Sequence, residues 1–202
     1  MSIFDNIEKE RNMSVVNRLA LVQHNRPYML AEHCYYTGLM FQELCDEYEI
    51  PYTLEDLKLV LRHDYLETYT CDLSYCVKNL NNTTKDAWGK IESETVENLN
   101  LDVNPEDRIK KLGLFTDEEL KENMSSNDTY MMFKICDMFE LFLFCFEEYK
   151  MGNKESMAEV LNNCRYIFGT MWMKGERGSF RRVLQDITNF CENKLKTISL
   201  YR

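Results

Sequence analysis

Apolar residues along this chain recur at intervals of three and four rather than two, the period of helices packed on one face. His33, Thr37, Met40, Phe41, Leu44 and Tyr48 share one such stripe, which predicts a helix over about 31–49 that Pro51 stops. The same period predicts helices over about 5–23, 53–67, 85–98, 154–170 and 179–198. Asn104-Pro105 marks another start, because a proline at the first helical position gives up no helical hydrogen bond, and Gly113 marks its end. Thr116 with Glu119 reads as a capping box, and Thr53 with Asp56 as a weakened one. Residues 68–84 read as an irregular segment. The stretch 129–150 is apolar almost all round, as expected of a central core helix. Its uninterrupted apolar run extends only from Leu141 to Phe146, far short of the roughly 20 residues that span a bilayer.

Composition sharpens this into an all-α expectation. Seven glycines and three prolines in 202 residues leave little turn chemistry for a sheet, and the length suits one domain, residues 1–202, folded as a helical bundle. A formal charge of −10 argues against a nucleic-acid polymer as partner while leaving room for a small anion at a local positive site. The N-terminus shows neither a basic flank nor an apolar run, so a cytoplasmic protein is expected. Six of the eight cysteines, Cys34, Cys45, Cys136, Cys145, Cys164 and Cys191, fall within helical patterns, where a thiol behaves as a small hydrophobe.

Four polar residues interrupt the apolar pattern. His33 belongs to the stripe above, and Asp64 stands where Leu57, Val60 and Leu61 call for another apolar residue, with His63 beside it. Asp137 is embedded in the most apolar helix. Each has an ordinary explanation: a hydrogen-bonded core histidine, an ion pair of Asp137 with Lys134, or one of Asp64 with Arg26 or Arg62. Together they form a set of two imidazoles and two carboxylates. Such a set suits a divalent transition metal, and four protein ligands leave coordination positions open.

The order His33, His63-Asp64, Asp137 resembles the H…HD…D pattern of the HD-domain metal-dependent phosphohydrolases. "NRPYMLAEHC", "LRHDYLETYTCDL" and "KICDMFELFLFCFEEYKMGN" are similar to segments of the 5′-deoxynucleotidases of the YfbR type, over roughly residues 17–155. The resemblance implies that His33, His63, Asp64 and Asp137 hold one divalent ion (Co²⁺, Mn²⁺, Zn²⁺ or Mg²⁺), and that Glu67 and Asp72 are catalytic. Glu67 would handle a proton or orient water, and Asp72 would act near the attacking water or the sugar. Without the resemblance, Asp72 reads as a local turn cap. Arg26 either clamps phosphate or ties down Glu32 or Asp64. Aligning His24-Asn25 with the family's Arg-Trp pair makes His24 either an anion contact or a solvent-exposed residue. Arg18 and Lys78 are further candidates for substrate contact.

No histidine follows His63, which sets aside dinuclear HD phosphodiesterases and the larger triphosphohydrolases with a downstream catalytic histidine. Glu67-Thr68 stands where guanosine tetraphosphate hydrolases carry Glu-Asp. The expected activity is metal-dependent hydrolysis of 2′-deoxynucleotides, as mono- or triphosphates and with adenine favoured, similar to the YfbR-type enzymes and the compact phage dATP-hydrolysing enzymes. The alternative is a silent HD scaffold that binds nucleotide or a protein. Lys174, Arg177, Arg181 and Arg182 form a basic cluster, either solvated or reaching a neighbouring subunit's phosphate pocket. The family implies a homo-oligomer, with which aromatics such as Trp172 are compatible.

Overall fold

A computed structural model describes residues 3–73, 75–78, 80–99, 104, 108–109, 113–174 and 179–199. The regular elements among these residues are helices, with no strand among them; two residues, Asn17 and Met29, form an isolated antiparallel bridge. The chain divides into two compact units. The first comprises Met1–Leu21, Tyr28–Tyr35 and Leu54–Met124, and the second Val22–Pro27, Tyr36–Thr53 and Ser125–Arg202.

The first unit contains α1 (Ile3–Glu10) with a following 3₁₀ turn (Arg11–Ser14), the start of α2 (Leu30–Glu47), α3 (Leu54–Val60), α4 (Glu67–Thr70), α5 (Tyr75–Lys78), α6 (Asn82–Leu99) and α7 (Asp117–Asn123). Its core gathers Met13, Leu30, Cys34, Tyr65, Leu66, Val96 and Leu114. Both α4 and α5 pack on α6. The expected capping box is present at α7. Thr116 Oγ1 accepts from the Glu119 amide at 3.3 Å, and Glu119 accepts from the Thr116 amide at 2.9 Å. Buried Arg108 also donates to Glu119 and, at 2.8 Å, to the Leu114 carbonyl. Gly113 has φ of +65°, and a Cβ there would come within 2.6 Å of Arg62, so the residue must be glycine on both conformational and steric grounds.

The second unit contains the rest of α2 and three mutually packed helices, α8 (Asn127–Lys150), α9 (Lys154–Lys174) and α10 (Ser179–Ser199). Ser126 caps α8 by accepting the Thr129 amide at 3.0 Å. The α8 helix buries Met132, Phe133, Ile135, Cys136, Phe142, Phe144, Cys145 and Phe146, as its all-round apolar pattern requires. The six helical cysteines are all buried.

Three expectations need correction. The span 68–84, expected to be irregular, carries the short α4 and α5 and the start of α6. The first helix ends at Glu10 rather than near 23; beyond the 3₁₀ turn the chain runs into the Asn17–Met29 bridge. The third helix ends at Val60, and residues 61–66 are a series of tight turns with bonds from the His63 amide to Val60 O, Tyr65 to Arg62 O and Glu67 to Asp64 O. A turn with i to i+3 bonds keeps nearly the same apolar spacing as a helix over a few residues, so the pattern alone does not separate them. The helix start expected at Pro105 lies outside the described residues.

Burial alone would raise the Glu119 carboxyl, but hydrogen bonds from Arg108 and Thr116 hold it below its ordinary value. Its stabilising contribution is complete above the unfolded carboxyl value of about 4.3 and disappears as pH falls through the depressed folded value. Glu119→Ala is therefore expected to cost about 1–2 kcal/mol at neutral pH, with the gap from wild type narrowing in acid; urea unfolding at both pH values measures it.

Candidate metal and phosphoryl-transfer site

The first unit assembles most of the expected residues around the start of α2 and the turns after α3. His33 on α2 is fully buried, and its Nε2 lies 3.1 Å from Nε2 of His63. Asp64 Oδ2 is 3.2 Å from the His63 Nε2 and 3.6 Å from that of His33. Three donor atoms thus converge at separations close to the roughly 3.0–3.4 Å between ligands that each sit about 2.1 Å from one cation.

The histidine tautomers suit this purpose. His63 Nδ1 donates to the Val60 carbonyl at 2.7 Å, and because a carbonyl only accepts, the proton must sit on Nδ1. That leaves Nε2 as the lone-pair donor of the neutral ring. Nδ1 of His33 meets the hydroxyl of Tyr28 at 3.1 Å, a partner that can accept its proton in the same way. Two lone pairs facing each other at 3.1 Å beside a carboxylate repel unless positive charge lies between them. Burial alone would lower the His63 value, but Asp64 outweighs it and holds the imidazolium well above the ordinary histidine range. Burial likewise would raise Asp64, yet His63 and Arg18 drive it well below the usual carboxylate range. The donor set fits a divalent cation.

Arg18 donates directly to Asp64 and lies 5.6 Å from the centre of the Tyr28 ring. The bridge explains its position: the Arg18 amide donates to Tyr28 O at 2.7 Å and the Leu30 amide to Val16 O at 2.9 Å, which ties this segment to the start of α2. The next residue, Leu19, adopts φ of +52°, costly for a branched side chain. Its amide donates to Asp72 Oδ2 at 2.8 Å. Asp72 is thus a tether for the Arg18 segment rather than a cap on its own turn.

Glu67 is 8% exposed; Lys78 donates to its Oε1 at 2.9 Å, while its buried Oε2 has no hydrogen-bond partner among the described residues. Burial and then the Asp64 charge push its pKa up to about 8, against the opposing pull of Arg18 and Lys78.

The remaining candidates belong to the second unit. Asp137 lies on α8 with its side chain 21% exposed and 3.7 Å from Lys134 Nζ, the pairing its spacing suggested. Arg26 is tied down, but not to Glu32 or Asp64. It donates to Glu147 at 2.5 Å and lies 4.7 Å from the Phe144 ring centre, while Asp64 takes Arg18 instead. His24 Nδ1 donates to the Arg26 carbonyl at 2.6 Å, and its ring stands edge-on to Phe144. Fully buried Glu148 accepts from the amides of Asn25 and Arg26 at 2.5 and 3.3 Å. This stretch is therefore fastened to the end of α8, and Arg18 rather than His24 is the cation beside the donor atoms. Tyr28 went unnoticed in the sequence; its only signal is an aromatic five residues before a buried histidine. Of the basic cluster, Arg181 and Arg182 are exposed, and the side chains of Lys174 and Arg177 lie outside the described residues.

Residues 7–170 match the family model of YfbR-like 5′-deoxynucleotidases. The chain belongs to that family. It is a metal-dependent phosphohydrolase of the HD type acting on deoxynucleotides. An HD phosphohydrolase of cyanophage S-2L, bound to dA and one catalytic Zn²⁺, is 17% identical with a TM-score of 0.62, covering 94% of this chain and 96% of that one. An HD-domain phosphohydrolase from Listeria innocua is 18% identical with a TM-score of 0.64, covering 96% and 100%. A protein from Pyrococcus horikoshii is 14% identical with a TM-score of 0.63, covering 92% and 98%. At these identities the likeness establishes the shared fold. A search of curated proteins finds no match. No described helix is long and apolar enough to cross a membrane.

In the metal-free protein, Glu67 keeps a proton between about pH 4.3 and 8 that the unfolded chain has lost. Wild-type stability therefore falls as pH rises across that window. Glu67→Gln removes this dependence, so the Tm of the metal-free variant relative to wild type should climb between about pH 5 and 8; a constant difference would contradict it.

Proposed function

We propose that this enzyme hydrolyses the phosphate ester or anhydride of 2′-deoxynucleotides, mono- or triphosphates, with adenine favoured. His33, His63, Asp64 and Asp137 would hold a single divalent ion. The observation that carries this is the convergence of His33 Nε2, His63 Nε2 and Asp64 Oδ2 within 3.1–3.6 Å, with the His63 tautomer set by Val60. The dA in the cyanophage relative supports adenine. The name of that relative's ion favours Zn²⁺ among Co²⁺, Mn²⁺, Zn²⁺ and Mg²⁺.

A bound divalent ion supplies positive charge to the phosphoryl group and makes water more acidic. The protein's own residues then divide the remaining work. Arg18, whose guanidinium carries several N–H donors beyond the one used on Asp64, orients a phosphate oxygen. Glu67, protonated near neutral pH and with Oε2 lacking a partner among the described residues, gives a proton to the leaving oxygen or orients water. Asp72 fixes the Leu19 backbone and with it the Arg18 segment, and offers its other oxygen to the sugar or the water. The chain is proposed to be a single HD-type domain that works as a homo-oligomer, a state that light scattering after size exclusion reads directly.

Product release should be assayed from a panel of dNMPs, dNTPs and ribonucleotides with Co²⁺, Mn²⁺, Mg²⁺ and Zn²⁺ each in turn. Turnover is expected with deoxyadenosine nucleotides, lost in EDTA and restored by one of the four ions. Glu67→Gln should lower kcat by about 10²–10⁴-fold, the usual contribution of a positioned acid or base. His63→Ala and Asp137→Ala should each abolish stoichiometric metal uptake in equilibrium dialysis. Metal-loaded protein that left every nucleotide intact would falsify the assignment.

A further inference from the structure

Glu67 stands on α4, a helix of only four residues, and a glutamate side chain has three rotatable bonds. Something other than the helix must decide which carboxyl oxygen faces a reacting group. Oε1 accepts from Lys78 at 2.9 Å, whereas Oε2 is buried without a hydrogen-bond partner among the described residues. A buried polar atom left unpaired is costly, so this one is suited to a partner that arrives with water or substrate.

Lys78 is itself long and flexible, yet its side chain is only 24% exposed. The face of Trp88 on α6 lies 5.5 Å from the Lys78 Nζ, a cation–π distance. The Trp88 indole is fixed in turn, because its Nε1 donates to Glu92 Oε1 at 2.6 Å one helical turn further along α6. Both α4 and α5, which carry Glu67 and Lys78, pack on α6. Glu92, Trp88, Lys78 and Glu67 thus form a continuous row from an exposed helix to the buried acid.

Resting on the reading of Glu67 as the proton-handling or water-orienting group, the geometry points to Lys78 as a positioning residue. It occupies Oε1 so that Oε2 is the working oxygen, with Trp88 and Glu92 holding Lys78 in place. Lys78 does not touch the substrate. Its removal therefore affects turnover rather than substrate binding, and the effect weakens outward along the row.

Steady-state kinetics of the metal-loaded enzyme on deoxyadenosine nucleotides test this, with metal uptake and circular dichroism measured on each variant. Lys78→Met is expected to lower kcat by about 10–100-fold, the scale of a catalytic group misplaced by about 1 Å, with KM within about threefold. Lys78→Arg, which keeps the donor and the cation–π contact, should recover most of that loss. Trp88→Leu should lower kcat by roughly 3–10-fold and Glu92→Gln by no more than about threefold, since each acts through the next residue. A rise in KM at unchanged kcat would make Lys78 a substrate contact and overturn the proposal. Equal losses for Lys78→Arg and Lys78→Met, or loss of metal uptake, would also overturn it. If Lys78→Met does not fold, the outward gradient is read from Lys78→Gln, Trp88→Leu and Glu92→Gln. If the wild type hydrolyses no nucleotide, it is the reading of the enzyme that fails. The Lys78–Glu67 link is then judged from the Tm values of Lys78→Met, Glu67→Gln and the double variant, where non-additive shifts sustain it and additive shifts remove it.

Discussion

Two imidazole nitrogens 3.1 Å apart, with a carboxylate oxygen 3.2 and 3.6 Å from them, are the constraint around which the first unit is built. Each atom carries a lone pair directed into the same small volume, and the histidines are almost entirely withdrawn from water. Such an arrangement is tolerable only if positive charge is shared among the three. In the protein alone, that charge is a proton drawn to His63 by Asp64, together with the Arg18 guanidinium. A divalent ion meets the same demand with more charge, and the Val60 carbonyl already holds the His63 ring in the tautomer that such an ion requires.

The same charge balance separates the roles of the carboxylates. Asp64 meets His63 and Arg18 and stays ionised, whereas Glu67, three residues on, feels burial and the Asp64 charge and holds its proton to about pH 8. Groups of the same chemistry are pushed apart in pKa by surroundings only a few ångströms different. Asp72 is given to a third task, paired with the strained Leu19 backbone. That pairing holds the Arg18 segment against the start of α2 without help from a long strand.

Much of this was legible in the chain because it depends on neighbours three or four residues apart. The stripe from His33 to Phe41 fixes which face of α2 is buried, and His33, Thr37 and Phe41 are indeed fully enclosed. The capping box at Thr116 and the all-round apolar α8 follow from equally local rules. The doublet His63-Asp64 was conspicuous for its polarity, although it lies on tight turns rather than on the expected helix. The stretch between residues 15 and 23 departs from the expected helix because its order comes from a bridge of two residues and a carboxylate far along the chain, neither of which leaves a periodic trace.

Taken alone, the sequence determined the helical class, the course of α2 and α8, and the kinds of donor available to a metal, since period and capping need only residues a turn apart. Tertiary structure alone decided the partners. Arg18 pairs with a residue 46 positions away, the Leu19 amide with one 53 away and Arg26 with one 121 away. It also decided which ring nitrogen of His63 keeps its proton and which oxygen of Glu67 is left without a hydrogen-bond partner among the described residues. Those choices depend on burial and on distances of about 3 Å between atoms remote in the chain, and no spacing along the sequence encodes them.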